Sequence, residues 1–320
     1  MNAIFHLPEF FDYKEVYRRL FILKDLCPGI FLDDTEIGSI YGNFHGSIWN
    51  GGTYSKKMEL LTRPQIEQTI NYYNHNLGIP LAFTFTNPCI EKEDCFDKYS
   101  NLIAEVGHNG MNIIRVSSPI LEDYLRDKYP NYKYSSSVIA TENQPYGDLK
   151  KYDSAVVRRI FNNNWLFLNN VAREDRGKLE FICNESCPAD CSNMYNHYKA
   201  YGDYTLSFFN VEKAADTICV NYDPKRMLFP YFYGEDNKWF ISREAIDTEY
   251  LPRGFQNFKI TGRWASGGIV YAVLRYLIKP EYIPDVINRC FIMYPGNFDD
   301  LLKTMYNIER EKARREELKS

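Results

Sequence analysis

The stretch Asn112-Ile113-Ile114-Arg115-Val116-Ser117-Ser118-Pro119-Ile120-Leu121-Glu122-Asp123-Tyr124-Leu125-Arg126-Asp127-Lys128 decides the fold class. A short, mostly apolar run of strand character stops at Ser-Ser-Pro, and a helical pattern follows at once, which is one βα unit. The alternation repeats on both sides of it. Residues 30–41, 81–86, 134–140, 155–159, 179–183 and 257–260 also read as strands. Residues 9–26, 64–76, 96–107, 162–171 and 266–277 read as helices. Pro28-Gly29 stops the first of these, Thr62 is a candidate N-cap for the second, and Pro280 ends the last.

Strands alternating with helices build parallel sheets, closed as a barrel or open and doubly wound. No G-x-G-x-x-G follows the first strand, which disfavours the dinucleotide-binding open sheet. The expected fold is therefore α/β: a (β/α) TIM-barrel-like domain, irregular in places, with extra N- and C-terminal helices. Residues 1–296 make the barrel domain, and residues 297–320 a charged helix, solvated and open to a protein partner.

Composition narrows the function classes. The 320 residues are 45% hydrophobic and 25% charged, ordinary values for a globular chain. Net charge is −4, without the basic excess of a nucleic-acid binder. The aromatic share of 16%, with 26 Tyr and 21 Phe, suits a polar pocket lined by rings, or equally a biased codon usage. The eight cysteines are too few for a disulfide scaffold. Met1–His6 lacks the pattern of a signal peptide. The longest apolar run, 269–278, is interrupted by Tyr271, Arg275 and Tyr276 and is too short for a membrane span. The expected setting is cytoplasmic, with no membrane contact.

Three groups of residues carry candidate chemistry. In the first, Cys183, Cys187 and Cys191 stand at four-residue spacing where strand 179–183 runs into a turn, and Cys219 follows. Thiolates are soft ligands, and a turn can aim several at one point, which suits an iron–sulfur cluster or zinc. Cys187, Cys191 and Cys219 plus either Cys183 or Cys290 would complete four ligands. The alternative is a set of buried free thiols. Cys89 and Cys95, six apart, receive no role.

The second group is the loop Tyr41-Gly42-Asn43-Phe44-His45-Gly46-Ser47-Ile48-Trp49-Asn50-Gly51-Gly52, with four glycines, Phe44 and Trp49 as stacking surfaces, and His45 for acid–base or ligand chemistry. Its bland reading is a structural cap on one end of the barrel.

The third group is polar residues at strand ends, which converge on one mouth in a barrel. They are Thr86, Asn87, Arg115, Ser117, Glu142, Asn143, Arg158, Arg159, Asn184, Glu185, Lys259 and Arg263. Arg115 lies inside an apolar strand, so it requires a buried partner or an anionic ligand. Glu185 is placed to act as acid or base, or to cap its turn.

The motifs Leu81-Ala82-Phe83-Thr84-Phe85-Thr86-Asn87, Asn184-Glu185-Ser186-Cys187-Pro188-Ala189-Asp190-Cys191 and Phe258-Lys259-Ile260-Thr261-Gly262-Arg263 occur in this order. Together, over roughly residues 30–280, the chain resembles the collagenase-like peptidase superfamily, and more closely an uncharacterised branch of it. The resemblance implies a TIM-barrel-like domain. Several members, among them proteins of RNA and ubiquinone hydroxylation, hold a four-cysteine [4Fe–4S] cluster. By position, Cys187 and Cys191 match the central cysteine pair and Cys219 a later ligand. No G-x-S-x-G or H-E-x-x-H accompanies these motifs.

The leading expectation is a barrel enzyme with a cysteine-ligated iron–sulfur centre, acting in oxidative or hydroxylating modification of a substrate the sequence does not name. Its metal ligands are drawn from Cys183, Cys187, Cys191 and Cys219. His45, Arg115 and Glu185 are its catalytic candidates. Tyr41, Trp49, Asn87, Asn184, Lys259 and Arg263 are its substrate-binding candidates. The rivals are a non-catalytic ligand- or protein-binding barrel, its cysteines structural or holding zinc, and a metal-free hydrolase using Glu185 or His45.

Overall fold

The structure, a computed structural model, describes residues 1–52, 60–140, 144–185, 191–208, 210–217, 238–262 and 266–291. Eight parallel strands close into a barrel in chain order. They are β1 (Ala3–Pro8), β2 (Thr35–Gly42), β3 (Leu81–Phe85), β4 (Ile113–Val116), β5 (Lys133–Ser136), β6 (Ser154–Val156), β7 (Leu179–Ile182) and β8 (Asn257–Lys259). Closure is made where Ile4, Phe5 and His6 of β1 pair with Asn257, Phe258 and Lys259 of β8. The expected TIM-barrel-like fold is present, with one strand more than the sequence pattern marked. That strand is β1, Ala-Ile-Phe-His-Leu-Pro, which has no helical segment before it.

Successive strand residues face opposite sides of a sheet. In this barrel the two sides differ in chemistry. Phe5, Leu7, Ile40, Leu81, Phe83, Phe85, Ile114, Val116, Val157, Leu179, Phe181, Phe258 and Ile260 belong to one apolar core shared with the surrounding helices. The intervening positions His6, Ser39, Tyr41, Thr84, Arg115, Ser135, Glu180 and Lys259 are equally buried, yet polar. They lie inside the barrel, because their contacts join strands that are not neighbours. Arg115 of β4 bonds Glu180 of β7, and Lys259 of β8 stands over the ring of Tyr41 of β2.

The helices follow the pattern with informative shifts. Helix Lys14–Leu26 begins five residues late, because Glu9 has a positive φ of 57° and the chain turns before it can coil. Helix Arg63–Asn71 starts at Thr62, whose backbone N–H donates to Gln65 Oε1 at 2.8 Å. Helix Pro119–Lys128 is capped by Ser118, whose Oγ accepts from Leu121 N. Helix Ser266–Leu277 has the expected bounds. The segment 162–171 holds only one helical turn, Trp165–Leu168. Helix Met194–Leu206 was not marked in the sequence. The expected C-terminal helix lies outside the described residues. Among the described residues no helix is long and apolar enough to cross a membrane.

Candidate active site in the barrel mouth

Parallel barrels present the carboxyl ends of their strands, and the loops that follow them, at one mouth. Arg115 is the penultimate residue of β4, Tyr41 of β2, and Lys259 the last of β8. All three are therefore near that mouth. Arg115 is 2% exposed, and the sequence argument that it needs a buried partner is answered by Glu180. The guanidinium donates from Nη1 to Glu180 Oε1 at 2.6 Å and from Nη2 to Oε2 at 2.9 Å. Such bidentate pairing fixes orientation as well as charge. Burial opposes ionisation of Glu180, but Arg115, His6 and Lys259 together outweigh it and hold the carboxyl down at about 2.

His6 completes the set from the opposite wall. Its Nδ1 lies 2.7 Å from Ser39 Oγ, and its Nε2 lies 3.1 Å from Asn257 Oδ1 and 3.9 Å from Glu180 Oε2. Asn257 spends its Nδ2 on the Gly177 carbonyl at 2.7 Å, so its Oδ1 is an acceptor and Nε2 carries the imidazole proton. Nδ1 then accepts from the Ser39 hydroxyl. Burial lowers the His6 pKa; Glu180 opposes this, while Arg115 adds to it. The ring is consequently neutral over most of the physiological range.

Lys259 is 7% exposed, with Nζ 4.0 Å from the Tyr41 ring centroid. The Arg115 guanidinium lies 5.8 Å from the same ring. The Tyr41 hydroxyl donates to the Ile260 carbonyl at 2.8 Å, which holds the ring within reach of both cations. Tyr41, Arg115 and Lys259, the candidates at the ends of three strands, come together in the structure. It adds His6 and Glu180. Glu180 carried the same signal as Arg115, a single charge in an apolar strand, and His6 sat in a strand that was not marked.

Other candidates are used elsewhere in the structure. Trp49 is fully buried, donates Nε1–H to the Asp94 carbonyl at 2.9 Å and meets Phe85 edge-on at 5.1 Å. It packs the end of β3 and offers no stacking face to a ligand. Phe44 is buried against Phe10. A Cβ on Gly51 would overlap the Thr86 carbonyl, so this glycine serves close packing of the loop on β3. His45 Nε2 lies 2.8 Å from Asp12 Oδ1, on the side of the loop that faces the β1–helix turn. Asn87 donates to the carbonyls of Ile48 and Gly202 at 2.9 and 3.2 Å. Asn184 exchanges two hydrogen bonds with the Thr261 backbone, at 3.0 and 2.7 Å. Both asparagines tie loops at the mouth together. Glu185 lies 3.6 Å from Arg159 Nη1, on the rim after β7.

The cysteines divide. Cys183 is fully buried in the helix-side core, its Sγ 3.6 Å from the Phe181 carbonyl, and burial pushes its thiol far up. Its side chain lies on the helix side of β7, opposite the barrel interior. Cys290 belongs to a turn near helix Lys14–Leu26, where its carbonyl accepts from Arg19 Nη1 at 2.7 Å. Cys191 is half-buried just before helix Met194–Leu206. Cys187, Cys219 and Arg263 lie outside the described residues, as do Glu142 and Asn143. Among the described residues, no three His, Cys, Asp or Glu side chains are grouped to hold a metal. Cys89 and Cys95 are both free thiols, and burial raises Cys89 to about 12.

These features define the class: a closed (β/α)-barrel with a charged, hydrogen-bonded interior below its carboxyl-end mouth. No protein-family model matches the chain, and no curated protein matches it.

Proposed function

We propose that this chain is a barrel enzyme whose chemistry takes place at the carboxyl-end mouth, above His6, Glu180, Arg115, Tyr41 and Lys259. One observation carries the reading. A barrel interior can be filled by branched apolar side chains, yet here it holds two cations, a carboxylate and a histidine, each at most 8% exposed. Buried charge of this kind is weak support for stability, since apolar residues of similar volume serve as well or better. Its retention is explained by work done on a ligand. In this reading Lys259 and Arg115 orient an oxygen-bearing substrate. Glu180 fixes Arg115, and the neutral His6 is available to exchange a proton at Nδ1 through Ser39. Replacing Lys259 by Met tests it. Denaturant unfolding is expected to give equal or higher stability, while a loss of more than about 2 kcal/mol would make the lysine a structural element.

The cofactor proposal rests on the sequence motif. On it, Cys187, Cys191 and Cys219, with Cys183 as a candidate fourth ligand, hold an iron–sulfur centre of a collagenase-like peptidase type. Bound there, the centre would supply single-electron transfer or an iron open to substrate. Protein purified without oxygen should carry iron and acid-labile sulfide, lost in Cys187→Ala/Cys191→Ala. Stoichiometric zinc would favour structural cysteines, and no metal would leave the mouth residues as the site of any chemistry.

A further inference from the structure

We infer that the mouth holds an oxyanion, a phosphoryl or carboxylate group, on donors contributed by the ends of β2 and β4. This deepens the reading above by naming the chemical class that the site takes.

Three buried polar atoms there make no hydrogen bond: Arg115 Nε, Asn43 Nδ2 and Ser117 Oγ. An unsatisfied buried donor costs about 1–3 kcal/mol, so three at one end of a barrel require an explanation. Their places are related. Asn43 stands two residues beyond Tyr41, and Ser117 two residues beyond Arg115. β2 ends at Gly42 and β4 at Val116, so Asn43 and Ser117 are the first residues beyond the carboxyl ends of these two strands, at the mouth. Arg115 and Tyr41 are themselves in contact range, at 5.8 Å.

The chemistry of the three is one-sided. The Asn43 Oδ1 already accepts from Phe44 N at 2.9 Å, which identifies the free atom as the NH2 group. Arg115 has committed Nη1 and Nη2 to Glu180, and its Nε–H can only donate. The serine hydroxyl donates as readily as it accepts. Among the described residues, the one buried acceptor-only atom without a partner near these strand ends is Asn162 Oδ1, which follows β6 and sits beside the end of β7, away from β2 and β4. Acceptor oxygens are what the three donors lack, and the ammonium of Lys259 beside Tyr41 supplies favourable charge for an anion. Among the buried strand residues, Arg115 and Lys259 face a single carboxylate, Glu180, with His6 neutral.

The test uses inorganic phosphate and malonate as probes, titrated into the full chain at constant ionic strength set by chloride. Binding is read by calorimetry, by the unfolding midpoint, and by the 15N–1H signal of Arg115 Nε–H. The expected result is saturable binding of at least one probe, with a midpoint that rises with its concentration and a displaced Arg115 Nε–H signal. Phosphate alone would indicate a phosphoryl group, malonate alone a carboxylate, and either supports the inference. The variant Asn43→Leu/Ser117→Ala keeps the Arg115–Glu180 pair and should bind the effective probe at least tenfold more weakly. No saturable binding, or binding that leaves the Arg115 signal in place, overturns the inference even if the variant fails to fold. The readouts need neither turnover nor metal. Binding by a protein shown to be inert would overturn the enzyme reading and keep the oxyanion site.

Discussion

Asn257 decides which nitrogen of His6 carries the proton, and through it the acid–base geometry of the barrel interior. With Nε2–H directed at Asn257 Oδ1 and Nδ1 accepting from Ser39, the imidazole should be seen at about pH 7.5 as the neutral Nε2–H tautomer by 15N NMR. A neutral ring carrying its proton on Nδ1 would contradict the assigned hydrogen bonds. The acid limb of stability follows from two shifts. Glu180 falls from 4.5 to about 2 on folding, so its contribution is full above pH 4.5 and is lost as the pH drops towards 2. His6 is lowered below its ordinary 6.5, so folding excludes a proton that the unfolded chain would bind, and stability begins to fall as the pH drops below 6.5. Stability curves of Glu180→Gln should therefore be flatter below pH 4.5 than those of the wild type. At this scale Arg115 was legible because a charge in an apolar strand must be answered. Glu180, its answer, gave the same signal, but nothing in one sequence pairs residues 65 positions apart.

Elements were legible where period and punctuation agreed. Strands β2 to β8 and helix Ser266–Leu277 alternate as apolar runs and helical patterns bounded by Pro, Gly, Ser or Asn. The missed strand β1 is six residues long, carries His6 and ends in Pro8, so neither length nor alternation distinguishes it. The over-long helix at 162–171 has a physical reason. Asn162 donates to the carbonyls of Ile182 and Trp239, and Asn163 has φ 57°. Only from Asn164, whose side chain accepts from Phe167 N at 3.1 Å, does the chain coil. Caps that do exist should be measurable. Asp97 Oδ1 accepts from Ser100 N at 2.7 Å at the start of helix Lys98–Val106. Asp97→Ala is expected to cost about 1 kcal/mol in denaturant unfolding. An unchanged midpoint would mean that the cap contributes nothing. Gly51→Ala, which pushes a methyl group at the Thr86 carbonyl, is expected to cost about 1–3 kcal/mol by the same measurement.

For the whole molecule, closure and interior chemistry depend on each other. β1 fills the gap between β8 and β2 and carries His6 into the centre. Removal of residues 1–8 should abolish the cooperative thermal transition followed by circular dichroism, because it opens two strand edges at once. A transition like that of the intact chain would show that closure is dispensable. The central claim is that the charges enclosed by this barrel are kept for a ligand and not for the fold. Its most direct measurement is a double-mutant cycle in denaturant on Arg115→Met and Glu180→Leu. Each single change strands a buried charge and should cost about 3–5 kcal/mol. On a Lys259→Met background, where no other buried lysine is left facing Glu180, the double variant removes the pair together, and the account predicts stability within about 1 kcal/mol of that background. A double variant as unstable as the single ones would contradict it, and would make the ion pair a strut of the barrel.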